Sequence, residues 1–180
     1  MWGRRGTRAA VDRGAEIDAT SHGSGYSALH VACKSGAVCT ARVLLDRGAD
    51  VSKQSVRVGN TPLHVAACAG QEDIVRLLLT YPNTDVDLGN INLGETPLIA
   101  ASQQGHCLVV ARLLAGGADC RKGYRKSPRQ SYVTPLYAAC RSGRLEVVRL
   151  LLAHISSHGI GTGTGPLRSA CCRARGPRPI

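Results

Sequence analysis

Phenylalanine is absent from this chain of 180 residues, tryptophan and methionine occur once each, and aromatic residues make up 3%. Without large rings, the core must be built from Leu, Val, Ile and Ala. Such a core suits small, closely packed helices and suits a large β-sandwich poorly. Long apolar runs are missing too: none approaches the roughly 20 residues that a membrane-spanning helix requires. The opening stretch, MWGRRGTRAAVDRG, is charged but has no apolar segment of the kind a secretory signal needs. No C-x-x-C occurs among the eight cysteines, which are Cys33, Cys39, Cys68, Cys107, Cys120, Cys140 and the adjacent Cys171 and Cys172. These absences point to an intracellular chain with reduced thiols, cytoplasmic first and nuclear as the second choice.

Acidic residues are scarce in one part of the chain only. Residues 1–119 set eleven Lys and Arg against eleven Asp and Glu, whereas residues 120–180 hold twelve basic residues and one acid, Glu146. The whole formal charge of +11 therefore sits in the last third. A nucleic-acid-binding domain more often spreads its basic residues over the folded face that meets the phosphates. Catalytic patterns are missing as well. No serine lies in G-x-S-x-G, and carboxylates near the histidines are too sparse to nominate a dyad. GIGTGTG (159–165) has Thr164 where a fingerprint glycine would fall and no G-K-[ST] after it, so it is not a nucleotide loop.

What is present is a repeat. SALHVACKSGAVCTARVLL (27–45), TPLHVAACAGQEDIVRLLL (61–79), TPLIAASQQGHCLVVARLL (96–114) and TPLYAACRSGRLEVVRLLL (134–152) align without gaps. Each has a glycine nine residues after its first position (Gly36, Gly70, Gly105, Gly143) and a pair of leucines at the seventeenth and eighteenth steps. The unit starts lie 34, 35 and 38 residues apart. Thr61, Thr96 and Thr134 can cap a helix, and a proline directly after each suits the first helical turn. Small residues follow, then the glycine that ends the helix at positive φ. Ile74, Val75, Leu78 and Leu79 then mark an apolar stripe on a second helix. Neither helix can bury that stripe alone, so adjacent units must stack.

This pattern resembles the ankyrin-repeat family, whose T-P-L-H-x-A string is matched by Thr61-Pro62-Leu63-His64-Val65-Ala66. DRGADV (46–51) and AGGADC (115–120) resemble its connector, and Gly25, Gly59 and Gly94 fit its hairpin tips. The fold expected is an all-α solenoid of stacked helix-turn-helix ankyrin repeats with short β-hairpin tips. A partial unit covers 13–23, and units cover about 24–56, 57–90, 91–120 and 131–154, with a basic loop at 121–130. Segments 1–12 and 155–180 are expected to be disordered. In the fourth unit Tyr132 stands where a tip glycine is expected. The partial first unit and the apolar outer face of the last helix suggest a piece or isoform of a longer repeat protein, frayed at both ends.

His64 and Cys68 share a helical face at metal-ligand spacing. The other cysteines do not recur in register with Cys68, because Cys33 and Cys140 fall one step earlier in their units. The resemblance implies instead that His30 and His64 are fasteners hydrogen-bonded across adjacent units. Cys33 and Cys140 take a small buried slot, Cys107 an apolar one on a second helix, and Cys39 and Cys68 face solvent. No metal, cofactor or catalytic residue is expected.

The resemblance further implies a non-enzymatic module, a monomer or part of a larger assembly, that binds a protein partner through its concave face. On that face Tyr26, Lys34, Arg57, Asn60, Glu95, Gln103, Gln104, Tyr132 and Arg141 are the expected contacts. The tail PLRSACCRARGPRP resembles the Leu/Cys/Arg-rich box of ubiquitin-ligase adaptors, which suggests substrate recruitment as one alternative. A nucleic acid or anionic surface bound through residues 121–180 is another. RKGYRKSPRQSY (121–132) carries five positive charges and places Ser127 before Pro128, so phosphorylation there would lower the local charge. Mass spectrometry of the chain from cells is expected to find Ser127 modified, and a survey that never does so removes that switch.

Overall fold

The computed structural model of the chain describes residues 16–125 and 132–157. The segment 1–12, Ser127 and the stretch 158–180, on which three of the expectations fall, lie outside the described residues. Eight helices are described: α1 (Ala28–Ser35), α2 (Val38–Asp46), α3 (Pro62–Cys68), α4 (Glu72–Leu79), α5 (Pro97–Gln104), α6 (Cys107–Ala115), α7 (Pro135–Arg141) and α8 (Leu145–Ser157). A two-residue antiparallel pair, β1 (Tyr124–Arg125) with β2 (Tyr132–Val133), lies between α6 and α7. Odd-numbered helices pack against one another in one row and even-numbered helices in a second. This is the all-α solenoid that the period implies.

Local chemistry sets each first helix. The Thr61, Thr96 and Thr134 hydroxyls accept from the backbone N–H of His64, Ile99 and Tyr137 at 3.3, 3.4 and 3.2 Å. Each satisfies a donor that a helix start leaves open. A proline occupies the first turn of α3, α5 and α7. The core between the rows is aliphatic and small. Cys33, Ala67 and Ser102 are fully buried at the end of the small-residue step, as is Ala139 one position earlier in the fourth unit, and Leu44, Leu78, Leu113 and Leu151 of the second helices are buried with them.

Three sets of hydrogen bonds join the units. His30 Nε2 donates to the Asn60 carbonyl at 2.9 Å, and His64 Nε2 to the Glu95 carbonyl at 2.7 Å. In the opposite direction, the residue after each helix-ending glycine reaches back to the preceding first helix. Gln71 Nε2 donates to the Lys34 carbonyl (3.4 Å), His106 Nε2 to that of Cys68 (3.1 Å) and Arg144 Nε to that of Gln103 (3.2 Å). Each thereby satisfies a carbonyl that the helix C-terminus leaves open. Among the connectors, the Asp18 and Asp87 carboxylates accept from the Asp50 and Asp119 backbone N–H, while Ser52 Oγ donates to the Asn83 carbonyl at 2.8 Å.

The tips interlock through glycine. Gly59 sits at φ 74°, and a Cβ built on it would lie 2.5 Å from the Ile91 backbone nitrogen. The tips of the first three units are tight turns closed by two backbone bonds, for example Asn90 N–H to the Glu95 carbonyl at 2.9 Å and Gly94 N–H to the Asn90 carbonyl at 2.8 Å. Ahead of the fourth unit the β1–β2 ladder replaces such a turn. Tyr132 therefore sits in extended backbone and does not need a glycine's freedom.

Two expectations change. Cys140 is exposed, not buried like its equivalent Cys33, because no further unit stacks on α7 among the described residues. The last helix does not stop at His154 but runs to Ser157. Ser156 Oγ bonds the Leu152 carbonyl at 2.9 Å, which extends the last turn without any apolar repeat. The outer face of α8 leaves Leu145 and Leu152 exposed, as the apolar last helix implied.

Gly59→Ala and Gly48→Ala separate backbone strain from tip stacking. Gly48 also has positive φ, but a Cβ there meets nothing within 4 Å. Urea denaturation is expected to show a loss of about 1–2 kcal/mol for Gly48→Ala and at least about 1 kcal/mol more for Gly59→Ala. Equal losses would mean that the tips do not constrain one another.

Candidate functional site

Side chains at the C-terminal ends of the first helices reach one solvent face together with the tips. Lys34, Gln103, Gln104 and Arg141 are exposed on α1, α5 and α7, and Cys68 is exposed at the end of α3. A cleft of about 150 Å³ opens between the second and third units, lined by Asn60, His64, Cys68, Glu95, Ala100, Gln103 and Gln104. It gathers four of the sequence-selected contacts. Lys34 and Arg141 flank it, since both Lys34 and Glu95 act on the Cys68 thiol and both Glu95 and Arg141 act on the Tyr124 hydroxyl.

Some of the selected residues also serve the fold. The Tyr26 ring stacks on His30 with centroids 5.3 Å apart and is half-buried. Asn60 accepts from His30 through its carbonyl and from Asn90 through its side chain, the latter at 3.2 Å. Arg57 is exposed, while its carbonyl accepts from Asn92 Nδ2 at 3.2 Å. The Tyr132 hydroxyl accepts from the Gly123 N–H at 3.1 Å, with much of the ring left in solvent. Ser127 lies outside the described residues.

A larger open groove, about 490 Å³, lies on the other side between α2 and α4. None of the selected residues lines it. Its charges are largely matched internally: Arg76 pairs with Asp73 at 2.7 Å and the Tyr81 hydroxyl donates to Asp46 at 3.2 Å.

The imidazoles cannot ligate a metal in this arrangement. His64 Nδ1 accepts from the Thr61 N–H at 3.2 Å and Nε2–H donates to Glu95, so both ring nitrogens are engaged. His30 is held in the same way, with Nδ1 accepting from the Ser27 N–H. This pattern needs the neutral ring with its proton on Nε2. Burial accordingly pushes His30 below its ordinary value and His64 down to about 4. The thiols are no better suited to chemistry. Burial pushes Cys33 up to about 12, and burial reinforced by Glu95 raises Cys68 against the pull of Lys34. A protonated thiol is a poor nucleophile.

The sequence reading missed the back-reaching donors Gln71, His106 and Arg144. Their shared signal is position: each directly follows the helix-ending glycine and carries a side-chain N–H. The apolar tip residues Val56 and Ile91 were missed as well, because alternation over so few residues resembles any short turn.

Comparison with known proteins comes to the same architecture. The family model described as ankyrin repeats (3 copies) matches residues 6–90, 52–126 and 82–161. The ankyrin repeat and KH domain-containing protein mask-1 of Caenorhabditis elegans is 34% identical over 84 residues, 47% of this chain. The chain spans 3% of that relative's length.

Acid titration tests the imidazole geometry. The native state holds His64 neutral down to about pH 4, whereas the unfolded chain takes up its proton near 6.5. The unfolded state therefore binds more protons between those values, and stability falls as pH drops through that window. The contribution is complete above pH 6.5 and shrinks by up to about 3 kcal/mol at pH 4. Urea unfolding between pH 7.5 and 4.5 is expected to show this slope and to show it reduced in His64→Gln. Identical slopes in both proteins would contradict the assignment.

Proposed function

The chain belongs to the ankyrin-repeat family, and from that premise we propose a non-enzymatic module that binds a protein partner across the face of first helices and tips. Members of this family are generally protein-interaction modules, and a stacked solenoid leaves one curved surface free to vary while its core is constrained. The observation that carries the reading is the cleft between the second and third units, where Asn60, Glu95, Gln103 and Gln104 converge. Amide and carboxylate groups there can bond a partner's backbone and side chains. Tyr26, Arg57, Tyr132 and Arg141, elsewhere on the first helices and tips, are residue types enriched at binding hot spots, and Lys34 adds a cation. Among the described residues no helix is long and apolar enough to cross a membrane.

Affinity purification from cells with mass spectrometry tests this by comparing wild type with Tyr26→Ala/Arg57→Ala/Arg141→Ala. One or more proteins are expected to be captured by wild type and reduced about tenfold or more by the variant, and reduced also by Arg57→Ala/Arg141→Ala, which spares the Tyr26–His30 stack and leaves thermal stability unchanged. Elongin or cullin subunits in the capture would identify the adaptor role. An unchanged protein set would remove this face as the docking surface.

A further inference from the structure

We propose that the partner segment docked on this face is an acidic peptide carrying apolar side chains, seated across the tips of the second and third units. The inference rests on the docking face proposed above and names the chemistry that face would recognise.

Exposed apolar groups are concentrated on the tips. Of the nine large apolar side chains exposed among the described residues, Val56, Val58, Ile91, Leu93 and Tyr132 are tip residues. Val56 is 73% exposed and Ile91 68%. Val56, Val58, Ile91 and Leu93 sit on neighbouring tips that touch. Gly59 packs directly against Ile91, Gly25 against Val56, and the Asn92 side chain bonds the Arg57 carbonyl. Contiguous exposed apolar surface of this kind marks protein contact.

The charge around the patch has one dominant sign. The three ion pairs among the described residues, Arg76–Asp73, Arg112–Glu72 and Arg149–Glu146, all lie on second helices. On the first-helix and tip face, Lys34, Arg57 and Arg141 have no carboxylate within ion-pair distance among the described residues. Glu95, in the cleft, is the acidic residue among the selected contacts. Arg57 lies between Val56 and Val58, so a cation interrupts the apolar patch itself. A partner offering carboxylates between apolar side chains complements both features, and such complementarity sets partner choice and encounter rate. Nucleic acid fits less well. Its bases need aromatic platforms and its phosphates a cationic track, whereas the apolar side chains of the second and third tips are valine, isoleucine and leucine.

The test pans a phage-displayed library of random peptides, about sixteen residues long, against the full chain. Enriched peptides are then synthesised and titrated against wild type, Val56→Ser/Ile91→Ser and Arg57→Glu/Arg141→Glu. All four substituted side chains are exposed, and circular dichroism melting checks that the folds match. The expected result is net-negative, apolar-containing peptides that each double variant weakens by about tenfold or more. Neutral or basic peptides that lose affinity in either double variant would overturn the acidic chemistry but leave the docking face standing. Peptides indifferent to every substitution would overturn both, and an unenriched library would overturn this inference. A labelled oligouridylate that binds more tightly than any enriched peptide, and is lost in Arg57→Glu/Arg141→Glu, would overturn it in favour of nucleic acid.

Discussion

A buried imidazole that cannot satisfy itself within its own unit couples the first junctions of this structure. His64 Nδ1 completes the cap of its own helix, while its remaining proton has nowhere to go except the Glu95 carbonyl of the next unit. Leaving that donor buried and unpaired would cost on the order of 1–3 kcal/mol. Capping one helix and stacking the next unit are therefore one event, not two. Among the described residues no buried side-chain nitrogen or oxygen lacks a partner, which is what this coupling achieves. The bonds in the opposite direction, from Gln71, His106 and Arg144, close the other end of each first helix.

The junction between the third and fourth units works differently. Ile99 takes the histidine's place and packs with Val133 and Ala138 against Tyr124 and Tyr137. The inter-unit bond made by His30 and His64 has no counterpart at Ile99, and the longer spacing between these unit starts is accommodated by the β1–β2 ladder. Apolar packing is less directional than a hydrogen bond, so this junction fixes the two units less strictly than a histidine bond does. Among the described residues the last unit is covered on one side only, with Leu152 and Cys140 exposed.

Stacking divides the surface into two kinds. Second helices carry intramolecular ion pairs, and exposed pairs of that sort add little stability. They do neutralise the outer face. First helices and tips leave Lys34, Arg57, Arg141 and several apolar groups exposed. The glycines that let successive tips approach closely, Gly25 against Val56 and Gly59 against Ile91, thereby set exposed apolar side chains on adjoining turns.

Much of the fold was legible from residues alone. Caps at Thr61, Thr96 and Thr134, the helix-ending glycines and the apolar stripes all depend on neighbours a few positions away, so local spacing discloses them. The repeat itself then required stacking, because neither helix of a pair can bury its own stripe. The candidate face was legible only in outline. Which side chains lie free, and which are occupied like Tyr26 and Asn60, depends on the next unit's atoms. The amino-acid order thus determined which helix pairs form and that they must stack. Only the tertiary structure decided that Cys140 emerges where Cys33 is buried, that Gln71, His106 and Arg144 share one role, and that Gly59 meets Ile91's tip. Each of those facts is set by contact between residues about thirty or more positions apart, and local chemistry carries no record of it.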